Sequence, residues 1–246
     1  MSKEEIVLFD EHQFKSKNKK FELKTVAEDK NIIKSKDRVQ QHGEVFTPKW
    51  MVKKMLAEPS IQEKLHDLNA TFFEPSAGEG AFLKEILQQK LNYVDNISSK
   101  SSWKRNALWA LMSIYAIELL NDNVIKAKSS MIEIFVNHYQ VFMQKLLSKN
   151  TDVYKSAEFI IKANIVQGNT LTYLDANNKL IEFSEWIPVE NGVKRKIFAY
   201  KSLFNNDNVN DITANNRQIN LFDDLDSKDI GRVQVSKVTK VFEMEY

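Results

Sequence analysis

The sequence TFFEPSAGEGAFLKEIL, residues 71–87, places an apolar run directly before a turn and a helix. The run ends at Glu74, the turn carries Gly78 and Gly80, and apolar residues then recur at helical spacing. The chain has only six glycines, so two of them in one turn indicate a place where the backbone must approach another group closely. The pattern predicts a strand, a turn and a helix, with a ligand site at the carboxyl end of the strand.

Further helices and strands are predicted on both sides of this turn. KWMVKKMLAEPSIQEKL, residues 49–65, has helical spacing interrupted by Pro59. Downstream, helical stretches alternate with the apolar runs IYAIEL (114–119) and ANIVQGNTLTY (163–173). The order β-α-(α)-β-α-β predicts an α/β fold, with a parallel sheet joined by right-handed crossovers.

The pattern changes after residue 175. LIEFSEWIPV, ENG and VKRKIFAYKSL, residues 180–203, form an alternating strand, a turn and a second alternating strand, which predicts a β-hairpin. We therefore divide the chain into three parts. They are a polar N-terminal arm (1–40), a ligand-binding α/β domain (41–175), and the β-hairpin with a C-terminal tail (176–246).

Composition excludes several classes of protein. Hydrophobic residues make up 43% and charged residues 28%, which is ordinary for a soluble globular domain. No apolar run is long enough to span a membrane, and the polar N-terminus lacks a signal-peptide layout. With no cysteine, the chain has neither disulfides nor a thiolate metal site, and its four histidines lack metal-ligand spacing. We expect a cytoplasmic protein with no bound metal.

The charges around the glycine turn favour one kind of ligand. The turn lacks both the G-x-G-x-x-G fingerprint and a GK[ST] ending, so a nucleotide phosphate is disfavoured. Glu74 enters the turn and suits a ligand with a positive ammonium group. Glu118 follows the second strand, where a ribose diol is commonly held. Two acids and two glycines at these positions fit S-adenosyl-L-methionine.

Four segments resemble motifs of amino-group DNA methyltransferases, the adenine-N6 methylases of restriction-modification systems. FFEPSAGEGAFL is similar to their motif I, [D/E]-P-x-x-G-x-G-x-[F/L]-L. GEVFTP (43–48) resembles motif X, IYAIEL motif II, and IVQGNTL (165–171) motif III with its G-D-x-L core. The order X, I, II, III is that of the gamma subclass. The resemblance covers roughly residues 40–175 and implies a Rossmann-like S-adenosylmethionine-dependent methyltransferase fold.

The resemblance also implies roles for individual residues. The Thr47 hydroxyl would bind the methionine carboxylate, Glu74 the ammonium group and Glu118 the ribose hydroxyls. Asn169 stands where the family usually has an aspartate that accepts from the adenine amino group, and its amide oxygen can still accept. The full implied set of cofactor-binding residues is Phe46, Thr47, Pro48, Glu74, Pro75, Ala77, Gly78, Gly80, Phe82, Glu118, Leu119, Asn169 and Thr170.

The catalytic motif of that family is absent. The family places [D/N/S]-P-P-[Y/F/W] after strand four, where two acceptors bind the target amino group and an aromatic ring stacks on the flipped base. The four prolines of this chain, at 48, 59, 75 and 188, are never adjacent, so no catalytic residue is assigned. The resemblance then implies a split enzyme acting on double-stranded DNA at a target adenine. A partner methylase or specificity subunit would supply the missing parts.

Two other functions stay open. The chain could be a methyltransferase-like binding or regulatory module that has lost catalysis, or an enzyme that methylates another substrate through its hairpin. Phe183 and Trp186 are candidate base-stacking rings, although a half-buried hairpin needs such residues anyway.

Two further partner surfaces are predicted. We expect a partner to cover the edge of the third strand and the apolar side of the hairpin, near Phe183, Trp186 and Phe198. QINLF, Gln218–Phe222, resembles the Q-L-x-L-F peptide that docks on the bacterial DNA sliding clamp, although a short helix packed on the domain is an alternative.

Overall fold

A computed structural model describes residues 47–204 and 233–244, together with Arg38, and its centre is a four-stranded sheet. Strands β1, β2 and β3 run parallel, and the short β4 pairs antiparallel with β3. The predicted α/β class and mostly parallel sheet are confirmed, and the arrangement is compatible with a Rossmann-like fold. The strands are β1 (Phe72–Glu74), β2 (Ile114–Glu118), β3 (Ile165–Asn169) and β4 (Leu174–Asp175).

Six helices lie in the described part of the chain. Pro59 occupies the first turn of the second helix, where its missing N–H leaves no bond unmade, so the predicted interruption is confirmed. The sequence patterns above assign no element to the sixth helix, which Thr151 caps by accepting from the Tyr154 N–H at 3.3 Å. The helices are α1 (Lys49–Leu56), α2 (Pro59–Leu65), α3 (Ala81–Ile97), α4 (Trp103–Met112), α5 (Asn121–Met143) and α6 (Asp152–Asn164).

The predicted hairpin is confirmed and extended by a third strand. β5 (Glu182–Val189) and β6 (Gly192–Ala199) pair antiparallel, and β7 (Val233–Ser236) pairs with the other edge of β6. A 3₁₀ turn follows β6 at Tyr200–Phe204, and another follows β7 at Val238–Glu243. The two sheets share one continuous hydrophobic core.

The hairpin covers one face of the parallel sheet. The Phe183 ring meets Phe73 at 6.0 Å and Tyr115 at 5.6 Å between centroids, and the Tyr115 hydroxyl donates to the Ser184 carbonyl at 2.8 Å. Phe183, Trp186 and Phe198 are only 1%, 7% and 2% exposed. The prediction that a partner covers these rings is therefore wrong, because the chain covers them itself. The third strand is not a free edge either, since β4 pairs with it.

The amino end of β1 is fixed by a buried lysine. The Lys90 ammonium donates to the carbonyls of Asp67 at 2.8 Å and Ala70 at 2.9 Å, and it lies 5.2 Å from the centroid of the Phe72 ring. Burial lowers the pKa of Lys90 to about 7. This anchoring sets where the strand starts, and therefore where its carboxyl end meets the glycine turn.

None of the helices in the described ranges is long and apolar enough to cross a membrane.

Candidate functional site

The carboxyl ends of the three parallel strands bring most of the predicted site residues to one edge of the sheet. Glu74 is in register with Ala116 on β2, and Glu118 with Gln167 on β3. The glycine turn, the β2–α5 connection and the β3–β4 loop therefore start side by side. Such an edge is where ligands bind in open α/β sheets.

The two glycines of the turn have different surroundings. Both have left-handed backbone conformations, with φ of +54° at Gly78 and +81° at Gly80, which favour glycine. A Cβ on Gly80 would lie 3.0 Å from the Cβ of Ala127 on α5, whereas a Cβ on Gly78 would have nothing within 4 Å. Gly80 thus permits close packing of the turn against α5, whereas Gly78 borders open space.

Glu118 organises the site from the end of β2. One carboxylate oxygen accepts from the Gly78 N–H at 2.7 Å. The other accepts from the Leu120 N–H at 2.9 Å and from the Asn123 side-chain amide at 3.3 Å. Glu118 is only 5% exposed, so these three donors replace water around a buried carboxylate. The residue holds the glycine turn to the β2–α5 connection.

Glu74 lies nearby but is far less satisfied. It is partly buried, and its carboxylate accepts from the Ser76 N–H at 3.2 Å. Burial raises the pKa of Glu74 and the negative charge of Glu118 adds to the increase, while the Ser76 hydrogen bond opposes it. Across the described residues, no lysine, arginine or histidine forms an ion pair with either glutamate. Within residues 47–204 and 233–244, two neighbouring carboxylates are thus left without a counter-charge.

The loop after β3 is tied to the turn after β1. The Thr170 hydroxyl donates to the Pro75 carbonyl at 2.5 Å. The Asn169 side-chain oxygen accepts from the Leu171 N–H at 2.9 Å and the Thr172 N–H at 3.3 Å. Both lone pairs of that oxygen are engaged in the turn, so Asn169 offers a ligand its amide hydrogens, and its acceptor only if the turn opens.

The remaining predicted residues are distributed as follows. Ala77 is buried in the turn, Phe82 is partly buried in the first turn of α3, and Leu119 is exposed just after β2. The carbonyl of Pro48 starts α1 by accepting from the Met51 N–H at 2.9 Å, but within the described ranges no hydrogen bond ties Thr47 to this edge. Phe46 and the Gln218–Phe222 segment lie outside the described residues.

Two residues of the site were missed at the sequence level. Asn123 is fully buried in the first turn of α5 and donates to Glu118. Arg38 donates to Asp122 at 2.7 Å and to the Asn123 oxygen at 3.5 Å; this bonding lowers the pKa of Asp122. The Asn-Asp-Asn run at 121–123 could have drawn attention to Asn123 as a site residue, but the same residues are typical of an ordinary helix start.

Within the described ranges, no group of three or more histidine and acidic side chains could hold a metal ion. No family model, no curated protein and no solved structure matches this chain.

Proposed function

We propose that this chain binds S-adenosyl-L-methionine at the carboxyl edge of its parallel sheet. In this proposal it is the cofactor-binding half of a DNA adenine-N6 methyltransferase of a restriction-modification or phage-defence system. The observation that carries the proposal is the pair Glu74 and Glu118, two carboxylates with no ion-pair partner in the described part of the chain, beside a turn whose Gly78 leaves open space.

A ligand with a positive charge would correct the electrostatics of this edge. An ammonium group next to Glu74 would favour the ionised carboxylate that burial and Glu118 now disfavour. S-adenosylmethionine carries such a group, together with a ribose diol. A carboxylate has about four lone-pair sites, and three are used on Glu118. The ribose would take the fourth site or displace one of the present donors.

The same edge lacks the groups that methyl transfer to adenine requires. Adenine N6 is a weak nucleophile, and the resembled family uses two acceptors and a stacking ring to activate and hold it. No adjacent prolines occur in residues 1–246, and in this proposal a partner chain supplies the motif.

We place that partner at β1, an edge strand in the described part of the chain. The Phe72 N–H donates to the carbonyl of Ser113, the residue just before β2, at 2.8 Å. In a parallel ladder the next residue, Phe73, then directs its N–H and C=O away from β2. A partner strand pairing here in the parallel direction would bring its own carboxyl end beside Glu74.

Calorimetry with S-adenosylmethionine tests cofactor binding. We expect the parent chain to bind, Glu74→Gln to bind more weakly, and Glu79→Gln to bind like the parent, because Glu79 in the same turn is already paired with Lys126 at 2.6 Å. Equal binding by all three would reject the site.

Transfer of labelled methyl groups to mixed DNA tests the split enzyme. We expect no incorporation by the purified chain, and incorporation once a neighbouring-gene product with an N-P-P-Y segment is added. Robust incorporation by the chain alone would contradict the split arrangement.

One observation favours a second candidate, a catalytically inactive methyltransferase-like module that regulates a partner. The Glu118 carboxylate and the Asn169 oxygen, two of the predicted acceptors, are already engaged by protein donors. Failure of the chain to bind the cofactor, together with stable binding to a partner, would favour this module.

A further inference from the structure

Three aromatic rings form a cluster beside the candidate site, on the side of the sheet covered by the hairpin. Tyr173 meets Phe204 at 5.5 Å and Tyr200 at 5.7 Å between centroids, and Tyr200 meets Phe204 edge-on at 5.2 Å. Tyr173 and Tyr200 are at least partly buried, whereas Phe204 is 48% exposed. The cluster therefore presents one phenyl ring to solvent, supported from behind by two tyrosines.

Tyr173 holds its position in this cluster at a conformational cost. Its φ is +64°, a left-handed conformation that is a true outlier for a bulky side chain and is strained. Two hydrogen bonds hold it there: the Tyr173 N–H donates to the Asn169 carbonyl, and the Ile181 N–H to the Tyr173 carbonyl, both at 2.9 Å. Glycine or asparagine would form this turn at lower cost, so the aromatic ring itself is the feature that the strain points to.

The cluster borders the predicted cofactor edge. Tyr173 belongs to the same loop as Thr170, whose hydroxyl is bonded to Pro75 in the turn after β1. Tyr200 contacts the Phe73 ring of β1 at 5.4 Å. The exposed ring of Phe204 is thus linked through Tyr200 to β1 and through Tyr173 to the end of β3.

Two lysines accompany the rings. Lys201 is exposed in the same 3₁₀ turn as Phe204, and Lys179 is exposed in the turn before β5. In the described part of the chain neither forms a side-chain ion pair. The carboxylate of Asp175 accepts from the backbone N–H groups of Asn177 and Lys179, both at 2.8 Å. These bonds lower the pKa of Asp175 and the Lys179 charge lowers it further, so Lys179 already interacts with a carboxylate whereas Lys201 does not share this neighbour. An exposed ring with a cation in the same turn is a combination that binds single-stranded nucleic acid, through stacking and phosphate contacts.

We infer that the Phe204 ring, supported by Tyr173 and Tyr200, is a stacking platform for an unpaired base of DNA, with Lys201 of the same turn binding a flanking phosphate. The identification of DNA rests on the proposed function; the platform rests on the cluster itself. The hairpin rings Phe183 and Trp186 cannot take this role, because both are buried.

Binding of a short single-stranded oligonucleotide containing 2-aminopurine, a fluorescent adenine analogue, tests this inference. We expect the full chain to bind it and to quench its fluorescence at low salt. Phe204→Leu keeps an apolar side chain but removes the flat ring. We expect the affinity for the oligonucleotide to fall by about tenfold or more, with loss of quenching. Phe204→Trp retains an aromatic face and should retain both.

A matched control is Phe142→Leu, which removes a partly exposed ring near the far end of α5, where Phe142 stacks on Trp103. This variant should bind the oligonucleotide like the parent. Circular dichroism of each variant checks that the fold is retained. Equal binding by Phe204→Leu and the parent, or no binding by the parent at low salt, would overturn the inference.

Calorimetry with S-adenosylmethionine separates this inference from the proposed function. Phe204→Leu should bind the cofactor like the parent, because the platform is directed at DNA; a matching loss of cofactor affinity would show that Phe204 stacks on the adenine of the cofactor instead, and would overturn the inference. Oligonucleotide binding that depends on Phe204 in a chain that does not bind the cofactor would support the platform and reject the proposed function.

Discussion

Glu74 and Glu118 stand at the ends of neighbouring strands, yet their surroundings differ. Glu118 is buried and accepts from three protein donors. Glu74 is partly exposed, accepts from the Ser76 N–H, and has a raised pKa. The contrast indicates two different roles. Glu118 holds the turn in place, and in the proposed function Glu74 binds the positively charged end of the ligand. Substitutions at the two positions should therefore affect different properties.

The largest effect is expected on folding, from Glu118→Ala. It removes the acceptor of the Gly78 and Leu120 N–H groups, and unsatisfied donors cost about 1–3 kcal/mol each when buried. We expect the free energy of unfolding to fall by about 2–4 kcal/mol, measured by urea denaturation. Glu118→Gln, which keeps one acceptor oxygen, should lose less. An alanine variant as stable as the parent would show that Glu118 does not organise the turn.

The same variant also tests the assignment of Glu118 to motif II. Losing the ribose contact should weaken cofactor binding by roughly 1.5–3 kcal/mol, the range for hydrogen bonds to a charged group. Calorimetry at a temperature where the variant is folded would measure this. If the folded variant binds as tightly as the parent, the ribose assignment is wrong.

Glu74→Gln should weaken cofactor binding without lowering the stability of the fold. Cofactor affinity should fall by about 1.5–3 kcal/mol because the ammonium group loses its charged acceptor, while stability near pH 7 should not fall. The reason lies in the raised pKa of Glu74. A folded state that favours the protonated acid loses stability as pH rises above 4.5 and through the folded pKa.

The stability of the parent relative to Glu74→Gln should therefore decrease over that pH range and stay constant above it. Urea denaturation at several pH values measures this difference. A parent that gains stability over the variant with rising pH would indicate that Glu74 is paired in the folded chain.

The smallest effects are expected at the two glycines. Gly80→Ala combines an unfavourable φ with a Cβ 3.0 Å from Ala127, and we expect a loss of about 2 kcal/mol. Gly78→Ala has the unfavourable φ alone and should cost about 1 kcal/mol, but its methyl group would enter the open space proposed for the ligand. Thermal unfolding measures the loss of stability in each variant, and calorimetry measures whether Gly78→Ala also weakens cofactor binding. Equal stabilities would remove the distinction between a packing glycine and a ligand-facing glycine.

Local patterns predicted the parts of this site that depend on neighbours in sequence. The strand-turn-helix signature located Glu74, Gly78 and Gly80, and the apolar run of β2 located Glu118. The pairing of β7 with β6 was not predictable, because the two strands are separated by more than thirty residues and alternation in a strand does not identify its neighbour. For the same reason, alternation in the hairpin predicted that one of its faces is buried, but it could not show that the parallel sheet of the same chain covers that face.

Because the Gly78 N–H donates to Glu118, ligand binding would change the hydrogen-exchange rate of this backbone amide. If a ribose hydroxyl takes the place of this donor, the Gly78 amide loses its acceptor at the moment when its neighbours become more ordered. Binding would then accelerate hydrogen exchange at this one glycine while slowing it elsewhere in the turn. An inverted exchange response at residue 78 would reveal competition between protein and ligand for the same carboxylate.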